Sequence, residues 1–120
     1  MDQALRVGTN GAVEEIDLGT EATSRIREVI DCQMLEVVRL TPDLDMWVDE
    51  EGLYAAQPEV NRTATAIAWA HGFVWQRYLG VAVFTSHDQH GAVTALTDLQ
   101  MSALMAAATE LNELITTGGS

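Results

Sequence analysis

Between Gln33 and Asp49 the side chains alternate with a period of two, and this pattern constrains the fold more than any other feature of the chain. Met34, Glu36, Val38 and Leu40 alternate with Leu35, Val37 and Arg39. After Thr41-Pro42-Asp43, Leu44, Met46 and Val48 alternate with Asp45, Trp47 and Asp49. In an extended chain, successive side chains point to opposite faces, so each run predicts a strand with an apolar face that another layer must cover. Thr41-Pro42-Asp43 breaks the first run, and the second reads as a half-buried strand. Glu50-Glu51-Gly52 turns the chain, and Leu53-Tyr54 extends the meander.

The rest of the chain supplies more strands and the covering layer. Ala4, Leu5 and Val7 lead to Thr9-Asn10-Gly11 and then to Val13, Ile16 and Leu18, a hairpin in which Asn-Gly is expected to provide two positive-φ residues. Thr20 is expected to cap a short helix carrying Ile26, Val29 and Ile30 on one face. Pro58 ends the sheet segment. Asn61 stands at a cap position before the alanine-rich run 62–70, which Gly72 terminates. Leu79–Thr85 has no charge and reads as a central strand covered on both faces, and Ser86–Gly91 reads as a polar loop. Thr97 and Gln100 have capping-box spacing ahead of a helix whose stripe is Met101, Leu104, Met105, Ala108, Leu111 and Ile115. The order predicts an α+β domain over 1–117, with an antiparallel-rich sheet of four to six strands, about three helices packed on it, and a flexible tail at 118–120. Ala103, Ala106, Ala107 and Ala108 widen the apolar surface of the last helix, which leaves a homodimer through that helix open beside a purely structural role.

Charge narrows the function. Eighteen acids stand against six Arg and no Lys, a net charge of −12 with His neutral. Such a chain is not expected to bind nucleic acid directly or to settle on an anionic membrane, because both need clustered cations. The single cysteine, Cys32, excludes an internal disulfide, and Asp31 beside it is expected to raise its thiol pKa. The longest stretch without Asp, Glu, Lys or Arg is Thr63–Gln76, short of the ~20 apolar residues that span a bilayer. No secretory signal is read at the start, so a cytoplasmic location is expected, in the host cell if the chain is phage-encoded.

Three groups of residues are candidates for a site. Asp45, Trp47, Asp49 and Glu50 fall in a stretch without Lys or Arg, where a solvated sheet face competes with a protein-docking face anchored by Trp. Asn61, Arg62 and Thr65 open the alanine-rich helix, whose free N–H groups suit an anion, although no glycine-rich loop precedes them and Asn61 is also a helix cap. His87-Asp88-Gln89-His90 carries metal-ligating side chains at an unspecific spacing, and a polar loop is the favoured reading. No catalytic residue, metal or cofactor is assigned.

The blocks 34–40, Leu44-Asp45-Met46-Trp47-Val48-Asp49-Glu50-Glu51-Gly52 and Pro58-Glu59-Val60-Asn61-Arg62-Thr63-Ala64-Thr65, followed by the glycine-containing strand Leu79–Thr85, resemble a family of small proteins of bacteriophages and Gram-positive bacteria built on a domain of unknown function. The resemblance covers roughly residues 30–86. The long final helix and the stretch Ala68-Trp69-Ala70-His71-Gly72-Phe73-Val74-Trp75 depart from the pattern. It implies a phage or prophage accessory protein and brings no catalytic residue. The expected function is non-enzymatic binding of a host protein through the acidic, Trp-containing face. The alternatives are a small-anion or nucleotide-like ligand-binding protein using Asn61, Arg62 and Thr65, and an acidic DNA mimic.

Overall fold

A computed structural model describes residues 3–52, 58–74 and 76–118, with side chains through 114. The predicted continuation at Leu53-Tyr54, the Ile115 side chain and the last two residues lie outside the described residues. Six strands, β1 (Gln3–Val7), β2 (Val13–Asp17), β3 (Leu35–Thr41), β4 (Leu44–Asp49), β5 (Ala82–His87) and β6 (Val93–Thr94), alternate with three helices, α1 (Ala22–Ile30), α2 (Arg62–Ala70) and α3 (Asp98–Gly118). The architecture is α+β, and every strand pairing is antiparallel. The sheet runs β2-β1-β5-β4-β3, with β6 paired to the end of β5. α3 includes Gly118, the first residue of the predicted tail.

The period-two pattern sorts the core into two layers. Leu5, Val7, Val38, Leu40, Leu44, Met46, Val48 and Phe84 meet Ile67 and Ala68 of α2 and Leu104 of α3 on one face. On the other face Ala4, Ile16 and Val83 pack against Ile26 and Ile30, one turn apart on α1. The sheet is thus covered on both sides, and it is α1, only nine residues long, that leaves part of its face open. The stripe on α3 packs as expected: Leu104 and Ala108 are buried, while Met101, Met105 and Leu111 are partly so.

Local signals at the helix ends differ in outcome. The Asn61 side chain accepts the Ala64 N–H at 3.0 Å, a helix cap. Thr97 and Gln100 close a reciprocal box, with Thr97 N–H to Gln100 Oε1 at 2.9 Å and Gln100 N–H to Thr97 Oγ1 at 3.1 Å. α1 is different: Glu21, not Thr20, occupies the cap position, and no side chain caps it.

The first hairpin also differs from expectation. Among the described residues only Asp31 is a non-glycine with positive φ, so Asn10 does not adopt the second left-handed position of a two-residue turn. Instead Gly8 N–H reaches Ala12 O at 2.9 Å around a three-residue loop, with Gly11 alone at φ 86. The predicted polar loop at 86–91 starts two residues late, because Ser86 and His87 belong to β5, and what remains of it repeats this geometry. Asp88 N–H reaches Ala92 O at 2.9 Å, Gly91 has φ 84, and the loop joins β5 to the unpredicted β6. β5 itself starts at Ala82 rather than Leu79, because Gly80 at φ 81 breaks the extended chain.

Candidate functional site

Register decides what surrounds the acidic candidates. Arg39 pairs with Asp45 and Asp45 with Thr85; in the next row Val37 pairs with Trp47 and Trp47 with Val83. Side chains in such rows stand within about 5 Å of each other on one face. His87, two residues beyond Thr85, points to the same face.

This arrangement corrects the expectation of a solvated carboxylate row without basic partners. Asp45 is 1% exposed. Its Oδ2 accepts the His87 Nδ1–H at 2.8 Å, and its Oδ1 lies 3.5 Å from Arg39 Nη1. Arg39 Nη1 lies 2.9 Å from His87 Nδ1 and 3.1 Å from Nε2, so the guanidinium rests against the imidazole between its two nitrogens. A buried carboxylate survives in such a place only when paired and hydrogen-bonded, and these two neighbours provide both. Asp45 organises the face from beneath rather than presenting a charge to solvent.

Trp47 is half-buried, packed against the cluster under α1. Its indole N–H donates to Thr85 Oγ1 at 2.9 Å, which holds the ring in place. Beside it on the edge strand Val37 is 37% exposed, and Met34 is exposed at the start of the same hairpin. Asp49 is half-buried and accepts the Glu51 N–H at 2.8 Å, while Glu50 is exposed in the following turn. The face therefore consists of a fixed aromatic ring, an exposed valine beside it and an acidic rim, while Met34 belongs by alternation to the other parity.

The Asp45–His87 pair resembles two parts of a nucleophilic triad, but the third is not aligned. Ser86 alternates to the opposite face and its hydroxyl donates to Asp43 O at 2.6 Å. Thr85 Oγ1 already accepts from Trp47. The two histidines of the 87–90 loop are separated as well: His87 faces Asp45, and His90 sits in the turn with its N–H on Asp88 Oδ1. No group of three His, Cys, Asp or Glu side chains suited to a metal forms among the described residues.

The second candidate set is mostly consumed by the fold. Asn61 is fully buried; besides capping α2 it donates through Nδ2 to Val7 O at 3.0 Å and to Gly80 O at 2.9 Å. Thr65 Oγ1 accepts the Tyr78 N–H at 2.9 Å. Arg62 alone of the three is exposed. The residues that sequence reasoning missed are Arg39, Thr85 and His87 as partners of the first set, all brought in by strand pairing. The Cys32 thiol is raised, first by burial and then by Asp49, against an opposing Arg27; Asp31 adds a smaller push in the expected direction.

Residues 1–109 of the 120 match the family model described as a domain of unknown function (DUF3846), and the chain belongs to that family. The match extends well beyond the blocks at 30–86, taking in the first hairpin, the 68–75 stretch and the first half of α3. No curated protein and no solved structure matches the chain significantly. Among the described residues no helix is long and apolar enough to cross a membrane.

Proposed function

We propose that the protein is a non-enzymatic accessory protein, of the phage or prophage type its resemblance implies, that binds a host protein through the β3–β4 face around Trp47. One observation carries this reading: Trp47 is pinned by the 2.9 Å bond to Thr85 yet only half covered, with exposed Val37 as its cross-strand neighbour. A ring that is already immobile loses little entropy on docking, and Trp is among the residues most enriched at the energetic centres of interfaces. Asp49 and Glu50 at the rim, in a chain of net charge −12, favour a basic partner surface and make its association salt-sensitive.

The test is capture from host lysate by the wild-type chain, by a Trp47→Ala/Asp49→Ala double variant and by an Asp49→Asn/Glu50→Gln variant that leaves the core intact. Capture by the wild type should fall as salt rises, disappear in the first variant and weaken in the second. Equal capture by all three proteins contradicts the proposal.

A further inference from the structure

A cleft of about 400 Å³ beside α2 has a charge unlike the rest of the chain. Its walls are Val60, Arg62, Thr65, Ala66, Trp69 and Arg77. Two of the six arginines converge there, and none of the lining residues is acidic. Four other clefts on the same molecule each include at least one carboxylate. Neither Arg62 nor Arg77 forms an ion pair among the described residues. Arg62 also lines a neighbouring cleft with Glu59, whose Oε1 accepts from Thr9 Oγ1 at 2.6 Å, and Arg77 also lines one with Glu36, Asp49 and Glu50, with no ion pair formed to any of them among the described residues.

Both walls are held rigidly. Arg62, Thr65, Ala66 and Trp69 recur at helical spacing along one face of α2. Arg77 precedes Tyr78, whose backbone is bound on both sides: its N–H goes to Thr65 Oγ1 at 2.9 Å, and its carbonyl accepts the Asn61 N–H at 2.8 Å. Trp69 is 45% exposed, and its Nε1–H donates to Gln76 O at 3.0 Å, which ties the ring to the Arg77 segment. The result is an open cleft with a fixed, uncovered indole and two guanidinium groups that have no ion-pair partner among the described residues.

We infer that this cleft binds a small anion carrying a flat ring, of the nucleoside monophosphate type, with the ring stacked on Trp69 and the phosphate between Arg62 and Arg77. Stacking on an indole tolerates any planar base, and guanidinium forks match phosphate oxygens in pairs. The volume falls in the range of about 300–1,000 Å³ usual for small-ligand clefts. The site shares no residue with the Trp47 face, and although Arg77 borders the cleft that also holds Asp49 and Glu50, the Trp69 signal and the Trp47-face capture are read separately.

The experiment titrates the full chain with AMP, with ribose 5-phosphate and with adenosine. It follows the Trp69 indole N–H signal in nitrogen-15 spectra, assigned through Trp69→Phe. AMP should shift that signal saturably and bind about tenfold or more tightly than either fragment, since each fragment lacks one of the two contacts. Arg62→Gln and Arg77→Gln, both at exposed positions, should each weaken AMP about tenfold while leaving adenosine unchanged. The inference is overturned if AMP gives no saturable shift, if it binds no better than adenosine, or if the Arg62→Gln/Arg77→Gln double variant binds AMP as the wild type does.

Discussion

Asn61→Ala should be among the most damaging single substitutions in this chain, because one buried amide serves three separate elements. Its Oδ1 caps α2 at Ala64, while its Nδ2 satisfies Val7 O at the end of β1 and Gly80 O ahead of β5. Loss of a cap oxygen costs about 0.5–2 kcal/mol, and a buried polar group left without its partner costs about 1–3 kcal/mol. One cap and two carbonyls together come to about 2.5–8 kcal/mol. A chain of this length has about 6–18 kcal/mol to lose at the usual stability per residue. Urea unfolding followed by Trp fluorescence should therefore show a midpoint about 2 M lower, taking a slope of about 2 kcal/mol/M. Asn61→Asp is the informative companion. It keeps the cap oxygen but sets a carboxylate oxygen against two carbonyls, so it should be at least as destabilising as Ala. A midpoint within about 0.5 M of wild type for Ala, or an Asp variant as stable as wild type, would refute the three-way role on which this figure depends.

Three further outcomes follow from single contacts. Gly11→Ala should destabilise by about 1–3 kcal/mol in the same urea experiment, since Gly11 has φ 86 and an added Cβ would collide with Asn112 Oδ1; an unchanged midpoint would show that the loop and α3 give way freely. Thr85→Val should cost about 1 kcal/mol and broaden the Trp47 indole signal, because it removes the acceptor of the Trp47 N–H; a sharp signal at its wild-type position would mean that the bond does not fix the ring. Cys32 should be alkylated by iodoacetamide more slowly in the folded chain than in urea near pH 8.5, because burial and Asp49 raise its pKa. By linkage this raised thiol contributes stability that is present below the unfolded thiol's pKa and is lost as pH rises through the folded one. Equal alkylation rates in the two states would contradict that environment.

The local signals were readable where chemistry is local. Alternation located β3 and β4, and the caps at Asn61 and at Thr97/Gln100 follow from side chains that reach only three residues along the chain. What alternation cannot give is the strand order. β5 lies between β1 and β4, so Asp45 meets His87 from 42 residues away and becomes buried rather than solvated. Asn61 was legible as a cap, but its two donors go to Val7 and Gly80, which only the packed sheet brings near it. The β5–β6 hairpin did have a signal: Asp88-Gln89-His90-Gly91-Ala92 ends in the same Gly-Ala as the first loop, and both close with the same backbone bond. At the cleft, Arg62 and Trp69 share a helix face by spacing alone, whereas Arg77 joins them only through the pairing of Tyr78 with Thr65 and Asn61.

The central claim is that the half-covered β3–β4 face is a contact surface, and amide hydrogen exchange on the complex captured from host lysate tests it most directly. Binding there should slow exchange in the segments 34–39 and 45–51 while leaving the α2 and α3 amides at the rates of the free chain. Protection confined to α2 or α3, with the β3–β4 segments unchanged, would contradict it.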